Sequence, residues 1–380
     1  MPDRNPRVLF VGRSRYRLPL PVWLAKKWDA IERVIDYRIL GAAEEGGGTQ
    51  GERLRLRPPA RPRVLDGALF YVRLPLRISR QIDDFRPEVI VAADPFVGAA
   101  ALLGRRLART STPLIIEVHG DWHTFTRGYG SPLRALLSPV TDRVSVYALR
   151  RADATRGLSA FTSGLIEEVR GEPATATFPT YSDLSAFLAE PVRPIPDRPV
   201  VVFVGMLEAY KNIDGLATAW RRVVASIPEA RLIIIGKGKR KHVVDALLQD
   251  LPERVEYHAQ LLPSEVAAKL DEATLLVLPS WPEGLGRVII EAFARGRGVV
   301  ATGAGGVLDL VTNGVEGILI APADTDALVT ELTRVLSDRE LAERLGSAAH
   351  ERYADWHATA SGFAQEMRDL VDLTLANNAN

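Results

Sequence analysis

The 380-residue chain contains no cysteine. Disulfide frameworks, thiolate nucleophiles and cysteine-ligated zinc are thereby excluded, and cysteine usage gives no sign of the compartment. Long apolar runs are lacking too. The best candidate, residues 89–104, is broken by Asp94-Pro95 and falls short of the about 20 residues that a membrane-spanning helix needs. The amino terminus, MPDRNPRVLFVG, leads into a short strand and lacks the apolar core of a signal peptide, so a cytoplasmic location is expected. Net charge is nearly absent, +1 at pH 7, and composition does not point to nucleic acid. The balance is uneven, however. Residues 1–80 hold 17 Lys and Arg against 8 Asp and Glu, so this part carries +9 and the remaining 300 residues −8. Such asymmetry predicts that the amino-terminal part faces an anion, either a lipid surface at the inner membrane face or a phosphate-bearing acceptor, unless it is simply a solvated arginine-rich surface.

What the chain does have is the composition of a globular enzyme, 47% hydrophobic and 25% charged, at a length that allows two or three domains. Residues 7–11 read as a first buried strand ending in Gly12, followed by a basic loop, Arg13-Ser14-Arg15-Tyr16-Arg17. A glycine at the carboxyl end of a first parallel strand lets a ligand approach the backbone. Trp23, Leu24, Trp28 and Ile31 then recur at helical spacing beside Lys26-Lys27, a stripe that fits either the core or a membrane surface. Residues 41–51 and the Arg- and Pro-rich 53–63 read as loop, and Phe70, Tyr71, Arg73, Arg77 and Arg80 as a second aromatic and basic segment. Strands at 88–94 and 113–120 alternate with helical stretches, the pattern of a parallel sheet covered on both faces. His119 closes the second of these strands, where ligands usually bind in open α/β sheets, with His123 a weaker candidate. Residues 190–199 carry four prolines and read as a linker, after which a second alternating run begins at Val200. Asp324-Thr325-Asp326 could pass for a metal-binding pair, but it precedes a helical pattern and is read as a cap.

The chain is organised around residues 279–293, PSWPEGLGRVIIEAF. A buried strand at 274–278 leads into a turn marked by Pro282 and Gly284, and a helix should start near Gly286. Glu283 in the turn and Glu291 in the helix are separated by seven residues, a spacing suited to gripping one extended polar ligand at two places. The glycines expose backbone, and the first N–H groups of the helix lack internal partners and suit phosphate oxygens. A sugar carried on a nucleoside diphosphate would satisfy both kinds of group.

This stretch resembles the Glu-x7-Glu signature of the family-4 glycosyltransferases. Residues 294–311, with Gly305-Gly306, look like the family's turn, strand and phosphate loop, although Asp309 stands where Glu is usual and Arg297-Gly298 where a residue followed by Pro is common. Residues 200–212 resemble the strand and the two cations that hold the donor diphosphate; Lys211 is in place and Met206 occupies the arginine position. Arg13, Arg15 and Arg287 are the candidates to replace that charge. The resemblance implies an α/β protein of GT-B architecture, two Rossmann-like doubly wound domains facing a cleft. The boundaries expected are 1–190 for the acceptor domain, 191–199 for the linker, 200–352 for the nucleotide-sugar domain and 353–380 for a terminal helix returning to the first domain.

The same resemblance implies a retaining transferase without cofactor or metal, whose donor is a UDP-sugar or GDP-sugar and whose acceptor is a sugar, a lipid-linked sugar or a small molecule in polysaccharide or glycoconjugate synthesis. His119, Glu283 and Lys211 would be its catalytic residues. Gly12, Leu285, Gly286, Glu291, Gly305 and Gly306 would bind substrate, with Glu291 on the ribose, Glu283 on the donor sugar and backbone N–H groups of the two loops facing its oxygens. The alternative is a non-catalytic nucleotide-sugar-binding relative, which Met206 favours. A sugar-nucleotide epimerase of the same fold is a third reading.

Overall fold

In the computed structural model, which describes residues 4–49, 51–60, 66–123 and 132–378, the apolar runs become two parallel sheets. The first contains β1 (Arg7–Tyr16), β2 (Asp36–Ala43), β3 (Leu54–Arg57), β4 (Val89–Ala92), β5 (Leu114–Val118), β6 (Ala154–Gly157) and β7 (Ala176–Thr177), in the order β3-β2-β1-β4-β5-β6-β7. The second contains β8 (Val200–Val204), β9 (Arg231–Ile235), β10 (Val255–His258), β11 (Leu275–Leu278), β12 (Gly298–Thr302) and β13 (Gly317–Ile320), in the order β10-β9-β8-β11-β12-β13. Each sheet belongs to its own compact unit, the first formed by Met1–His123, Leu136–Tyr181 and Ala358–Asn380, the second by Ser182–His357. Both orders run outward in two directions from a central pair, β1 with β4 and β8 with β11. Ligands of doubly wound sheets bind at the carboxyl ends of such a pair, where the order reverses.

Two-residue periodicity explains why both sheets are buried. Val201, Phe203, Leu275 and Val277 face one apolar cluster, while Val200, Val202, Leu276 and Leu278 face another on the opposite side. The first sheet divides in the same way. Val8, Phe10, Val89 and Val91 meet Trp28 and Ile31 of the Val22–Val34 helix, whereas Leu9, Val11, Ile90 and Ala92 meet Phe70 and Leu74 of the Asp66–Phe85 helix. The two aromatic and basic segments therefore lie on opposite faces and do not form one patch. Val22 and Trp23 remain exposed, at 75% and 46%, while Trp28 is committed to the core, with its ring 5.2 Å from Phe10. Among the described residues, no helix is long and apolar enough to cross a membrane. The Ala360–Asn378 helix belongs to the first unit: Phe363 and Met367 join the cluster around Trp28, and Arg368 donates to the Val34 carbonyl at 2.8 Å.

Three stretches read as loop are strand, the first being residues 41–43, which complete β2. β1 does not stop at Gly12; its register shifts between Val11 and Arg15, and Arg15 and Tyr16 then pair with Ala42 and Ala43. The supposed basic loop at 13–16 is thus the far end of a bulged strand, because the ladder with β2 resumes beyond the bulge. Within the arginine-rich 53–63, Leu54 and Leu56 are buried in the core and pull Leu54–Arg57 in as edge strand β3. Asp324 caps the Thr325–Ser337 helix as expected, its carboxylate accepting from the Ala327 N–H at 2.8 Å.

The proline-rich residues 190–199 are tied to the second unit by two arginines, each 1% exposed. Arg295 donates to the carbonyls of Phe187, Glu190 and Pro191 at 2.7–2.9 Å and to the Asp271 carboxylate. Arg297 donates to the carbonyls of Arg193, Pro194 and Leu270. Burial lowers the Arg297 guanidinium to about 10, partly offset by Asp271, so it stays charged at neutral pH. Only a guanidinium offers five donors in one plane, which is why these positions are arginine. Replacing Arg295 by Met would leave the Asp271 carboxylate and three carbonyls without that partner, a loss of about 3–5 kcal/mol. A fall in melting temperature on the order of 10 °C is expected in a thermal scan; a change within 1 °C would show that the strap adds nothing.

Candidate active site

At the order reversal of the second sheet, the loop after β8 meets the loop after β11. Lys211 ends the short turn Ala209–Lys211, fixed by Asn212, whose left-handed backbone (φ 52°) turns the chain and whose side chain caps the Ile213–Ser226 helix at 3.2 Å. The buried Lys211 amino group donates to Oε1 of Glu283 and lies 5.1 Å from the Tyr210 ring. Ser280 donates to the same oxygen at 2.5 Å, and the Trp281 N–H donates to the Tyr210 carbonyl at 3.0 Å. One carboxylate oxygen of Glu283 is thus bound twice. Opposite charges brought this far from water are tolerated as a pair with further hydrogen bonds, which Ser280 supplies here.

The loop after β12 closes on the same place. Gly305 (φ 66°) pairs with Glu283, and the Gly306 N–H donates to the Glu283 carbonyl at 2.8 Å. A Cβ at 305 would stand 2.3 Å from that carbonyl, and one at 306 would stand 2.1 Å from the carbonyl of Gly284. The two glycines are therefore required by the approach of one loop to another. Gly306 secures that contact through its N–H, which accordingly is not the donor foreseen for a phosphate oxygen.

Beyond this turn, Leu285 is buried in the core, and Gly286 adopts φ 80° to start the Arg287–Ala294 helix, its carbonyl accepting from the Ile289 N–H at 2.8 Å. Glu291 follows about one turn into the helix. Burial pushes its carboxyl up to about 7, an effect that the charge of Arg287 only partly opposes. Among the described residues, no hydrogen-bond donor reaches this carboxyl. Glu291 is half-buried; a desolvated carboxyl without hydrogen-bond donors is costly, and such groups concentrate where a ligand supplies the missing donors.

In the first unit, Gly12 lies at the bulge of β1, and His119 follows the carboxyl end of β5. A Cβ on Gly12 would touch Ala93 at 3.0 Å, just beyond β4. Burial raises the carboxyl of the neighbouring Asp94, which caps the Pro95–Leu107 helix and senses the charges of His119 and Arg13. His119 is partly exposed, and its Nε2 lies 3.2 Å from Oε2 of Glu117. Glu117 in turn is held by Arg156, which donates to the Phe178 carbonyl at 2.9 Å and sits 4.0 Å from that ring. Burial alone would raise the Glu117 carboxyl; the Arg156 guanidinium and the His119 contact reverse this and hold it well below the usual range. The Glu117 carboxylate accepts from Nε2 of His119, which leaves Nδ1 as the ring nitrogen for another contact. His123 is engaged separately, with Nδ1 3.0 Å from Asp142.

The sequence reading missed Glu117 and Arg156; the available signal was a charge inside each of two apolar strands, LIIEV and ATRG. It also missed the commitments of the arginines proposed to replace the charge absent at 206. Arg15 and Arg57 bind Asp66 at 3.3 and 3.1 Å, with Arg13 at 4.0 Å. Met206 itself is 48% exposed.

Residues 8–179 match the family described as Glycosyl transferase 4-like domain, and residues 188–352 that described as Glycosyl transferases group 1. Sulfoquinovosyl transferase SQD2 of Arabidopsis thaliana is 28% identical over 324 residues, covering 78% of this chain and 61% of the plant protein, so this chain spans less than two thirds of that relative. A glycogen synthase of Mycobacterium tuberculosis is 27% identical over 304 residues, 77% of this chain and 72% of its own. Among solved structures, sucrose-phosphate synthase from Thermosynechococcus elongatus superposes with a TM-score of 0.78 at 18% identity, covering 98% of this chain and 100% of that one. Anabaena HepE, solved with UDP-glucose, gives 0.70 at 20% identity over 96% and 99%. The structural likenesses fix the fold, and the two family matches between them take in both sheets. The chain belongs to the GT-B glycosyltransferases.

Proposed function

We propose that the chain moves a sugar from a nucleoside diphosphate sugar to an acceptor with retention at the anomeric carbon, binding the donor at the order reversal of the second sheet. The observation that carries this reading is Glu291, a half-buried carboxyl to which no described side chain or backbone N–H donates, about one turn into the helix that follows Glu283 and its partner Lys211. Ribose hydroxyls would supply the donors that Glu291 lacks. Glu283, with one oxygen held by Lys211 and Ser280, would accept from hydroxyls of the donor sugar. Cleavage of the glycosidic bond develops positive charge on the sugar and negative charge on the departing diphosphate, so fixed cations near the leaving group are the main catalytic term. Lys211 is the cation at hand. The departing phosphate would take the acceptor proton on the same face, and no protein nucleophile is assigned. His119 would accept from a substrate hydroxyl through Nδ1. The printed names of the relatives, which include glycogen synthase and a sulfoquinovosyl transferase, and the UDP-glucose bound by HepE support a UDP-sugar donor and a glucan or glycolipid type of acceptor. The exposed Met206 favours one rival, a nucleotide-sugar-binding relative without transfer.

Calorimetry with UDP, GDP, ADP and their sugars tests the donor site. One nucleotide should bind the wild-type chain, and Glu291→Ala should weaken it about 10- to 100-fold through loss of charge-assisted hydrogen bonds. Glu283→Ala should keep the bare nucleotide and lose turnover on the order of 100-fold. Full turnover in that variant would sink the assignment, and binding without transfer or donor hydrolysis over a broad acceptor screen would favour the rival.

Glu291 also sets a stability test. Its folded carboxyl binds a proton more tightly than the unfolded one, so the cost of ionising it builds as pH rises from 4.5 through about 7 and is complete above. Glu291→Gln should therefore raise the melting temperature of the ligand-free chain by several degrees at pH 8 and leave it unchanged at pH 4. Equal shifts at both values would contradict the assignment. Attachment to an anionic lipid surface rests on Val22, Trp23 and the +9 of residues 1–80; Trp23→Ala should reduce flotation with phosphatidylserine-containing vesicles, and no flotation of the wild type would end that idea.

A further inference from the structure

The pairing of β8 with β9 places Val204 beside Ile235 and does not end there. The Gly205 N–H donates to the Ile235 carbonyl at 2.9 Å, and the Leu207 N–H to the Lys237 carbonyl at 3.1 Å. Residues 206 and 237 therefore stand side by side at the carboxyl edge of the sheet. Glycines flank Lys237, and both are needed for this approach. A Cβ on Gly236, at φ 149°, would lie 1.8 Å from the carbonyl of Gly205, and one on Gly238 would lie 2.4 Å from that of Leu207. Lys237 is thus the one side chain of a turn pressed against residues 205–207. On the other side of the same loop, a Cβ at Gly205 would come within 3.7 Å of the Lys211 side chain. Position 206 is flanked by a lysine from each direction.

Among the described residues, no carboxylate matches the charge of Lys237. Its exposed amino group lies 3.1 Å from the neutral side-chain oxygen of Gln260. Lys211, the first cation of the proposed donor site, also pairs with Glu283, while Arg240 is engaged with Asp214 at 3.5 Å and Lys241 with Asp245. Arg13 and Arg15 of the first unit face Asp66, and Arg287 lies beside Glu291. We infer that Lys237 supplies the second positive charge of the donor diphosphate site, replacing from the neighbouring turn the cation that Met206 does not provide. This assignment rests on the donor reading above and names the group that completes it. A lysine on a flexible stem acts as a point charge without the two-pronged geometry of arginine, so it discriminates by the number of phosphates and not by their orientation.

Calorimetry on the full chain with UDP, GDP and ADP against UMP, GMP and AMP tests the inference. For the base that binds, the wild type should prefer the diphosphate. Lys237→Ala should weaken the diphosphate about 10-fold and the monophosphate less than about twofold, a difference of one charged contact. Adding Met206→Arg to Lys237→Ala should restore the diphosphate to within about threefold of wild type, since the new guanidinium occupies the adjacent position. A diphosphate affinity unchanged within twofold in Lys237→Ala overturns the role of Lys237 while leaving the donor site in place. Failure of the wild type to bind any of the six nucleotides overturns the donor reading and this inference with it.

Discussion

Lys211 and Glu283 meet where the strand order of the second sheet reverses, and the geometry around them follows from holding two opposite charges away from water. Desolvation makes each ion expensive alone. The pair is tolerable because Ser280 adds a hydrogen bond to the same carboxylate oxygen and because the backbone of each loop is fixed by the other: Trp281 to Tyr210, Gly306 to Glu283. The cost of burial is then offset by contacts that already order the turn, leaving the second oxygen of Glu283 for an incoming group. Glu291 shows the opposite arrangement. It is half-buried without a hydrogen-bond donor, and burial, only partly opposed by Arg287, pushes its carboxyl up to about 7. One carboxylate is held by two donors on a single oxygen, and the other meets no donor and is raised by burial.

The first unit solves a different problem with the same chemistry. Its surplus of arginine gathers around single acids: Asp66 takes Arg15 and Arg57 with Arg13 behind them, and Glu117 takes Arg156 and His119. The +9 of residues 1–80 is therefore not spread evenly over solvated side chains. Part of it gathers around Asp66, and His119 is held through Glu117 by the guanidinium of Arg156 on the neighbouring strand.

Local pattern made much of this visible in the sequence. The alternation of apolar strands and helices, the strand before residue 279, the turn at Pro282 and Gly284 and the aspartate cap at 324 each leave their signature within a few residues, because the physics that produces them is local. The missed features are long-range. Arg156 and Glu117 are 39 residues apart, and Arg295 reaches back 104 to 108 residues to its carbonyls. No period or spacing encodes such a contact; a lone charge within an apolar run is the only trace it leaves. The continuation of β1 past Gly12 failed to show for a related reason, since a bulge breaks the two-residue alternation on which strand recognition depends.

The lock between the glycine loop and the turn at 283–285 has an evolutionary consequence. With 305 and 306 pressed against two carbonyls of that turn, any side chain at either position forces both loops to move together. The backbone that presents Glu283 is thus inherited as one piece, shared by segments from two different crossovers. A change in what this turn presents would have to proceed by exchanging side chains on this fixed frame, because lengthening either loop would displace the other.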